Sequence, residues 1–273
     1  MAVITISRQL GTLGTEIARE VAGKLNYAYV DKEIIGEMVA NFGFGAPEAE
    51  KYDEKKPPFW DFLSAQRTHF LHSIQAAIYD FARKGQVVIV GRGGQVLLKN
   101  VPGTLHVRIF APFDLRVKRL AQSAGVDERH AARILRQSDH DSAGYLHSFF
   151  RSDWNDASLY DLLINTEYLL PATAGRLIMD SIQSPKIQEG VEKGKEKVGD
   201  LALVQKVEAR LVAIFGSQLN YVEVQAERGT VSLRGAVIDP LLKDACERAV
   251  AALEGVKHIE NQLVFTPFYR QSD

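Results

Sequence analysis

The stretch ITISRQLGTLGTEIAREVAGKLNYAYVD, residues 4–31, decides the fold of this chain. A short β-branched strand, Val3–Ile6, leads into a turn marked by Gly11 and Gly14. The helix that follows carries an apolar residue at every fourth position, which is typical of a helix with one buried face. A second strand then ends at Asp31. This order of strand, glycine turn, helix and strand predicts that the turn and the start of the helix cradle a phosphate group.

The bulk composition is that of a globular protein with a substantial core. The chain has 273 residues, of which 46% are hydrophobic and 25% charged, with a formal net charge of −1. A nearly neutral chain exerts no long-range attraction on nucleic acid or on an anionic membrane, so we expect neither as a partner. Cys246 is the single cysteine, which excludes an intrachain disulfide and fits a reducing compartment. With no signal peptide recognised at the start, we expect a cytoplasmic protein.

Strand and helix patterns alternate through the first two thirds of the chain. Buried strands are predicted at residues 86–94, 104–110 and 160–166, and helices are predicted between them. A turn-rich, charged surface segment is predicted at 42–59, before a long helix that starts near Trp60. Strands that alternate with helices imply an α/β domain with a parallel sheet covered on both faces, which we place at residues 1–183.

A second, smaller domain is predicted after a linker. Residues 184–200 are charged, contain glycines and lack aromatic residues, so we interpret them as a linker that is at most partly helical. Residues 201–273 then follow the order helix, two alternating strands, helix and strand. This order indicates a small α+β domain of αββαβ type.

The glycine turn departs from the usual phosphate-binding pattern G-x-x-x-x-G-K-[ST]. Aligned without gaps, the turn has Arg8 at the first glycine of that pattern, Gly14 at the lysine and Thr15 at the hydroxyl that holds Mg²⁺. Backbone amides can still cradle phosphates if Gly11 and Gly14 adopt positive φ angles, and Arg8 is the nearest substitute cation. The alternative is a tight turn without a ligand.

Three stretches together resemble the cytidylate kinase-like family. They are the opening stretch, VIVGRGGQVLL at 88–98, and DWNDASLYDLLINT at 153–166. The family's opening is typically S-R-Q-x-G-x-x-G, which also lacks the lysine. The resemblance spans about residues 1–183 and implies a P-loop NTPase-like fold that binds ATP with Mg²⁺.

The resemblance also implies a set of site residues. Its nucleotide-binding residues are Ser7, Arg8, Gly11, Thr12, Gly14, Thr15, Asp31 and Arg92. Thr15 would hold the metal, and Arg92 would grip the phosphate of an acceptor nucleotide with its planar guanidinium. Asp31 would orient the acceptor or the metal, or else act as the N-cap of the next helix.

A lid segment would supply the catalytic charges. The comparable stretch contains Arg133, Arg136, Asp139 and Arg151 as candidate catalytic residues. Ser142 stands where the family's second lid arginine would fall. Phosphoryl transfer depends on positive charge around the transferring group, so the missing lysine and arginine predict a slow reaction unless these arginines compensate. A solvated helix face is the alternative interpretation of the arginines.

The C-terminal residues 201–266 resemble the BON domain. The pattern G-x-V-x-L-x-G lies at 229–235, and G-V-x-x-I-x-N-x-L lies at 255–263. The family is associated with envelope proteins and phospholipid attachment, but residues 201–273 hold eight Lys/Arg and nine Asp/Glu. Weak electrostatic attraction to lipid favours a protein partner or a small ligand instead.

These features lead to one main hypothesis and two rivals. The chain binds a nucleotide and transfers the ATP γ-phosphate to a nucleoside monophosphate or another small acceptor. The rivals are a non-catalytic nucleotide-binding sensor and a scaffold, each signalling through the BON domain. A homo-oligomer is compatible with all three.

Overall fold

The computed structural model describes residues 2–40, 65–219 and 221–266. The surface segment predicted at 42–59 and the start of the helix predicted near Trp60 lie outside these residues. The N-terminal domain is built on five strands, which are β1 (Val3–Arg8), β2 (Ala28–Val30), β3 (Val87–Val90), β4 (Thr104–Phe110) and β5 (Leu162–Asn165). All neighbouring strands are parallel, in the order β2-β3-β1-β4-β5. The predicted parallel sheet is therefore confirmed.

Helices cover both faces of this sheet. The helices of this domain are α1 (Gly14–Leu25), α2 (Lys32–Ala40), α3 (Ala65–Lys84), α4 (Gly94–Leu97), α5 (Phe113–Ala124), α6 (Glu128–Phe150) and α7 (Pro171–Ile182). Of these, α5 and α6 pack on each other in a small core of their own. Successive side chains of a strand point to opposite faces, so Val3 packs under α2 and α3 while Ile4 and Ile6 pack under α1 and α7. β1 is buried on both faces, which explains its unbroken apolar run.

The predicted linker is helical. Residues 185–200 form the first half of helix α8 (Pro185–Phe215), a helix of 31 residues. Val191 and Val198 are 7% and 1% exposed and belong to the two cores of the N-terminal domain. The sequence interpretation missed this packing because the charges and glycines resembled a solvated linker. The domain limits themselves stay a prediction.

Two glycines explain how α8 packs so closely. A Cβ on Gly194 would lie 1.9 Å from the carbonyl oxygen of Pro102, and one on Gly190 would lie 2.7 Å from the backbone nitrogen of Gly103. The helix therefore rests directly on the backbone of the turn before β4. These glycines provide close approach, whereas the sequence pattern had suggested flexibility.

The C-terminal domain has its own sheet and core. It contains β6 (Val222–Glu227), β7 (Thr230–Val237), α9 (Pro240–Ala251) and β8 (His258–Phe265) after the second half of α8. β6 and β7 are antiparallel, and β7 and β8 are parallel. Val207 and Leu211 of α8 pack with Cys246 of α9 against this sheet. Burial raises the pKa of the Cys246 thiol to about 11, as suits a structural rather than a nucleophilic cysteine.

In the described ranges, 2–40, 65–219 and 221–266, no helix has both the length and the apolar character needed to cross a bilayer.

A histidine joins α3 to α8 and makes this contact dependent on pH. His72 Nδ1 lies 2.7 Å from Oε1 of Gln205 and 3.1 Å from Oε2 of Glu208. Burial lowers the pKa of His72, but hydrogen bonding and the charge of Glu208 outweigh it, so the pKa is raised above 6.5. A raised folded-state pKa stabilises the protein fully below about pH 6.5, and this contribution is lost as the pH rises through the folded pKa.

We expect the wild-type protein to be more stable at pH 6 than Glu208→Gln, by less than about 1 kcal/mol because both side chains are partly exposed. At pH 8 the two proteins should differ less. Melting temperatures at the two pH values check this, and an equal difference at both would contradict the assigned ion pair.

Candidate functional site

The glycine loop, residues 9–13, joins the end of β1 to α1. Gly11 and Leu13 have φ angles of 80° and 61°, in the left-handed region. Gly14 begins α1 with an ordinary helical φ, so the positive φ expected there is not found. Gly14 is needed for space instead, since a Cβ would lie 2.6 Å from the Cβ of Arg8. The buried Thr12 donates its hydroxyl hydrogen to the carbonyl of Gln9 at 2.7 Å, which closes the loop on itself.

The loop brings together the predicted residues on β1 and α1. Ser7 is buried at the end of β1, beside Arg8, and Thr15 lies in the first turn of α1. Asp31 caps α2, because its Oδ1 accepts from the backbone nitrogens of Glu33 at 3.2 Å and Ile34 at 3.4 Å. The N-cap interpretation of Asp31 thus has a direct structural basis.

A second glycine loop lies beside the first, after β3. Gly91, Arg92 and Gly93 have φ angles of 78°, 54° and 75°, so three consecutive residues are left-handed. Arg92 is 8% exposed, and its guanidinium lies 5.8 Å from the centre of the Tyr145 ring. The Phe150 ring at the end of α6 packs directly on Gly93. The sequence GRGG therefore forms a loop of left-handed residues that contacts α6.

A cavity of about 20 Å³ lies between the end of β1, the GRGG loop and α6. Its lining includes Ser7, Arg8, Arg92, Gln95, Ser142 and Trp154. This volume is sufficient for one water-sized group. Ser142, predicted to stand where a lid arginine is usual, is thus part of the site.

The predicted lid forms one continuous helix, α6, and its arginines do not line this cavity. Arg133 lies on an exposed face, 3.3 Å from Nδ1 of His130. The guanidinium of Arg136 lies 5.1 Å from the ring centre of Phe113. Arg151 is exposed at the C-terminal cap of α6. This arrangement agrees with the solvated-face alternative for all three arginines.

Asp139 contacts a buried arginine that the sequence interpretation missed. Arg116 on α5 is 3% exposed. Its Nη1 and Nη2 donate to Oδ1 and Oδ2 of Asp139 at 3.0 and 2.8 Å. Nη1 also donates to the carbonyl of Leu10 at 3.4 Å, and Gly11 packs on its backbone. Arg116 therefore connects α6 to the glycine loop. The sequence did not single out this residue, because one arginine within a helix pattern does not indicate a buried ion pair.

We expect Gly93→Ala to destabilise the protein by about 2 kcal/mol, because alanine is strained at a φ of +75° and its Cβ would lie 2.4 Å from the Phe150 ring. The neighbouring Gly94→Ala is a matched control. Gly94 belongs to α4, and its added Cβ would lie 3.4 Å from the side chain of Thr5. Thermal melting compares the two. Equal losses would show that Phe150 does not pack on the loop as described.

The fold and this site together define an α/β protein of the P-loop type, with a glycine loop between its first strand and first helix. Comparison with family models makes the assignment specific. The chain belongs to the cytidylate kinase-like family, whose model matches residues 3–168. Residues 199–267 match the model of the BON domain. Both resemblances that the sequence motifs suggested are confirmed.

Individual relatives agree with the family. The chain is 28% identical over 186 residues to the cytidylate kinase of Pyrobaculum islandicum, which covers 67% of this chain and 93% of the relative. It is 28% identical over 167 residues to the cytidylate kinase of Methanocaldococcus jannaschii, covering 60% and 88%. A crystal structure of an uncharacterized protein from Eubacterium ventriosum is similar in fold, with a TM-score of 0.54 and 23% identity, covering 67% and 99%.

Proposed function

We propose that the N-terminal domain binds ATP with Mg²⁺ and transfers the γ-phosphate to a nucleoside monophosphate or another small acceptor. The observation that carries this proposal is that two glycine loops with left-handed residues follow the neighbouring strands β1 and β3 at the carboxyl edge of a parallel sheet. Ligands of open α/β sheets bind at this edge. The side chains at the cavity include Ser7, Arg8 and Arg92, which are hydrogen-bond donors suited to phosphate oxygens.

Each part of the site has a separate task. The amides of the glycine loop and the N-terminus of α1 attract the phosphates of the triphosphate. The Thr15 hydroxyl would hold Mg²⁺, which supplies positive charge to the phosphates when bound. Arg8, the last residue of β1, replaces the absent lysine as the cation nearest to the glycine loop, and Arg92 binds the phosphate of the acceptor.

The position of helix α6 determines whether a phosphate group can bind in the cavity. The cavity beneath it accommodates a single oxygen-sized group, so a whole phosphate group fits inside it only if α6 moves away from the GRGG loop. Because the lid arginines lie on other faces of α6, we expect a turnover below the ~10 s⁻¹ typical of enzymes.

The test is a coupled-enzyme turnover assay across the nucleoside monophosphates, run beside isothermal titrations of ATP–Mg²⁺ and CMP. Binding of both ligands together with slow turnover supports the proposal. Failure of every nucleotide to bind the intact protein would overturn it.

Arg92→Ala should weaken the binding of a nucleoside monophosphate by about 1.5–3 kcal/mol, the range for a hydrogen bond to a charged group. ATP affinity should remain nearly intact. Arg176→Ala, on an exposed part of α7, is the matched control and should change neither affinity. Isothermal titration measures all three proteins, and equal loss of both ligands in Arg92→Ala would contradict the assignment.

A second candidate is a nucleotide sensor that signals through the BON domain without turnover. Two observations favour it. Helix α8 contributes Val198 to the N-terminal core and Val207 to the C-terminal core, so the domains share one continuous helix. A groove of about 800 Å³ between α3, α8 and the turn after β6 is lined by Asp80, Lys206 and Arg228, among others. Nucleotide binding without turnover in the same assays would support this candidate over the first.

A further inference from the structure

Arg108 is a buried cation next to the site that neither the motifs nor the family resemblance had singled out. It lies on β4 directly opposite Ser7 and is 5% exposed. Its guanidinium donates to Ser7 Oγ at 3.5 Å, to Tyr160 Oη at 3.3 Å and to Asn155 Oδ1 at 3.1 Å. It also lies 4.1 Å from the centre of the Trp154 ring.

These contacts leave the charge of Arg108 without a carboxylate partner among residues 2–40, 65–219 and 221–266. A buried charge is costly unless an opposite charge lies nearby. The contacts with Ser7, Asn155 and Tyr160 are hydrogen bonds to neutral groups. An anion near Arg108 would therefore be favoured by its field.

The hydroxyl of Ser7 has its orientation set by two donors. Trp154 Nε1 donates to Ser7 Oγ at 2.9 Å, and Arg108 Nη1 donates to the same atom at 3.5 Å. An indole N–H and a guanidinium can only donate, so the hydrogen of the Ser7 hydroxyl must turn away from both. In the described part of the chain no acceptor takes that hydrogen. Ser7 lines the cavity beneath α6, and its hydroxyl can donate a hydrogen bond to a group in that cavity.

A second donor in the same cavity supports this picture. Gln95 is 1% exposed and lines the cavity, and among the described residues its Nε2 has no hydrogen-bond partner. Arg8 and Arg92 contribute positive charge to the lining. The cavity is the size of one phosphate oxygen and presents donors to it.

We propose that Trp154 and Arg108 are positioning residues that hold Ser7 as a hydrogen-bond donor to an anionic oxygen of the phosphate-bearing acceptor. Trp154 fixes the direction of the hydroxyl, and Arg108 adds the buried positive charge. This assigns a role to the stretch DWNDASLYDLLINT, which supplies Trp154, Asn155 and Tyr160 from one loop. The inference rests on the proposed function, since it assigns further residues to the binding of the acceptor in the same site.

The indole N–H of Trp154 provides a direct readout. In a Trp60→Phe background a single indole resonance remains, because the chain has two tryptophans. Inorganic phosphate and CMP, titrated separately into the ¹⁵N-labelled full-length protein, should each shift that resonance with saturation. Trp154→Phe should weaken CMP binding about five- to tenfold by removing one hydrogen bond. Arg108→Met should weaken it further, and Arg108→Lys should restore part of the affinity.

Tyr160→Phe is the control for a merely structural role. The Tyr160 hydroxyl contacts Arg108 and donates to the carbonyl of Trp154 at 2.9 Å, but it does not touch Ser7. Its loss should change CMP affinity less than about twofold. Ser7→Ala removes the proposed donor itself and should lower CMP affinity as much as Trp154→Phe does. The test can therefore still be made if Trp154→Phe folds poorly.

The outcomes separate the two proposals. If ATP–Mg²⁺ and CMP bind the intact protein while the indole resonance stays unmoved and Ser7→Ala binds CMP normally, the inference is overturned and the proposed function stands. Equal losses in Tyr160→Phe and Ser7→Ala would also overturn it. If no nucleotide and no phosphate binds, both proposals fail.

Discussion

Replacing Gly194 with alanine is expected to destabilise the protein by about 3 kcal/mol, at the upper end of the range for overpacking. The added Cβ would lie 1.9 Å from the carbonyl oxygen of Pro102. Because this oxygen belongs to the backbone, α8 must move as a whole. Val191 and Val198, which α8 buries in the N-terminal cores, would then lose contact. The melting temperature should fall by about 6–12 °C.

Gly199→Ala is the matched control on the same helix. Its Cβ would lie 3.6 Å from Cδ of Arg83, which is ordinary contact. Alanine is also the better helix former, so this variant should be stabilised by up to about 1 kcal/mol. Similar melting temperatures for Gly194→Ala and wild type would mean that α8 does not pack on the turn before β4. Residues 184–200 would then behave as the linker that the sequence suggested.

Asp139→Asn is expected to destabilise the protein by about 3 kcal/mol, at the low end for breaking a buried ion pair. The asparagine keeps the shape of the side chain but leaves the charge of Arg116 uncompensated. Arg116 has 4% of its side chain exposed and Asp139 has 26%, and the partial exposure of the carboxylate keeps the loss near this lower limit. Since Arg116 also donates to Leu10, the glycine loop should loosen together with α6.

Asp141→Asn is the control, two residues further along α6. Asp141 accepts a hydrogen bond from Gln137 on an exposed surface, so its loss should cost less than about 0.5 kcal/mol. Chemical denaturation of both variants, with ATP binding measured alongside, distinguishes the roles of Asp139. A stable Asp139→Asn protein that has lost turnover alone would support the catalytic role implied by the family resemblance. A loss of stability would show that Asp139 holds α6 against α5 through its ion pair with Arg116.

Much of the site was accessible from local sequence patterns. The glycine turn, the GRGG loop and the cap at Asp31 were all located, because positive φ angles and helix caps depend on a few adjacent residues. One local expectation was wrong, since Leu13 rather than Gly14 takes the left-handed conformation next to the helix. Gly14 is small because Arg8 packs against it, and that contact is not visible in a pattern of residue types.

The sequence by itself determined the alternation of strands and helices, the two glycine loops and the αββαβ order of the C-terminal domain, because hydrophobic periodicity and turn chemistry act over short stretches. Only the tertiary structure decided which distant side chains meet. Trp154 reaches Ser7 across 147 residues and Arg116 reaches Asp139 across 23. These partners depend on the order in which crossovers place strands side by side and on how closely helices approach. The glycines of α8 show the same dependence, since their role follows from the backbone of Pro102 opposite them.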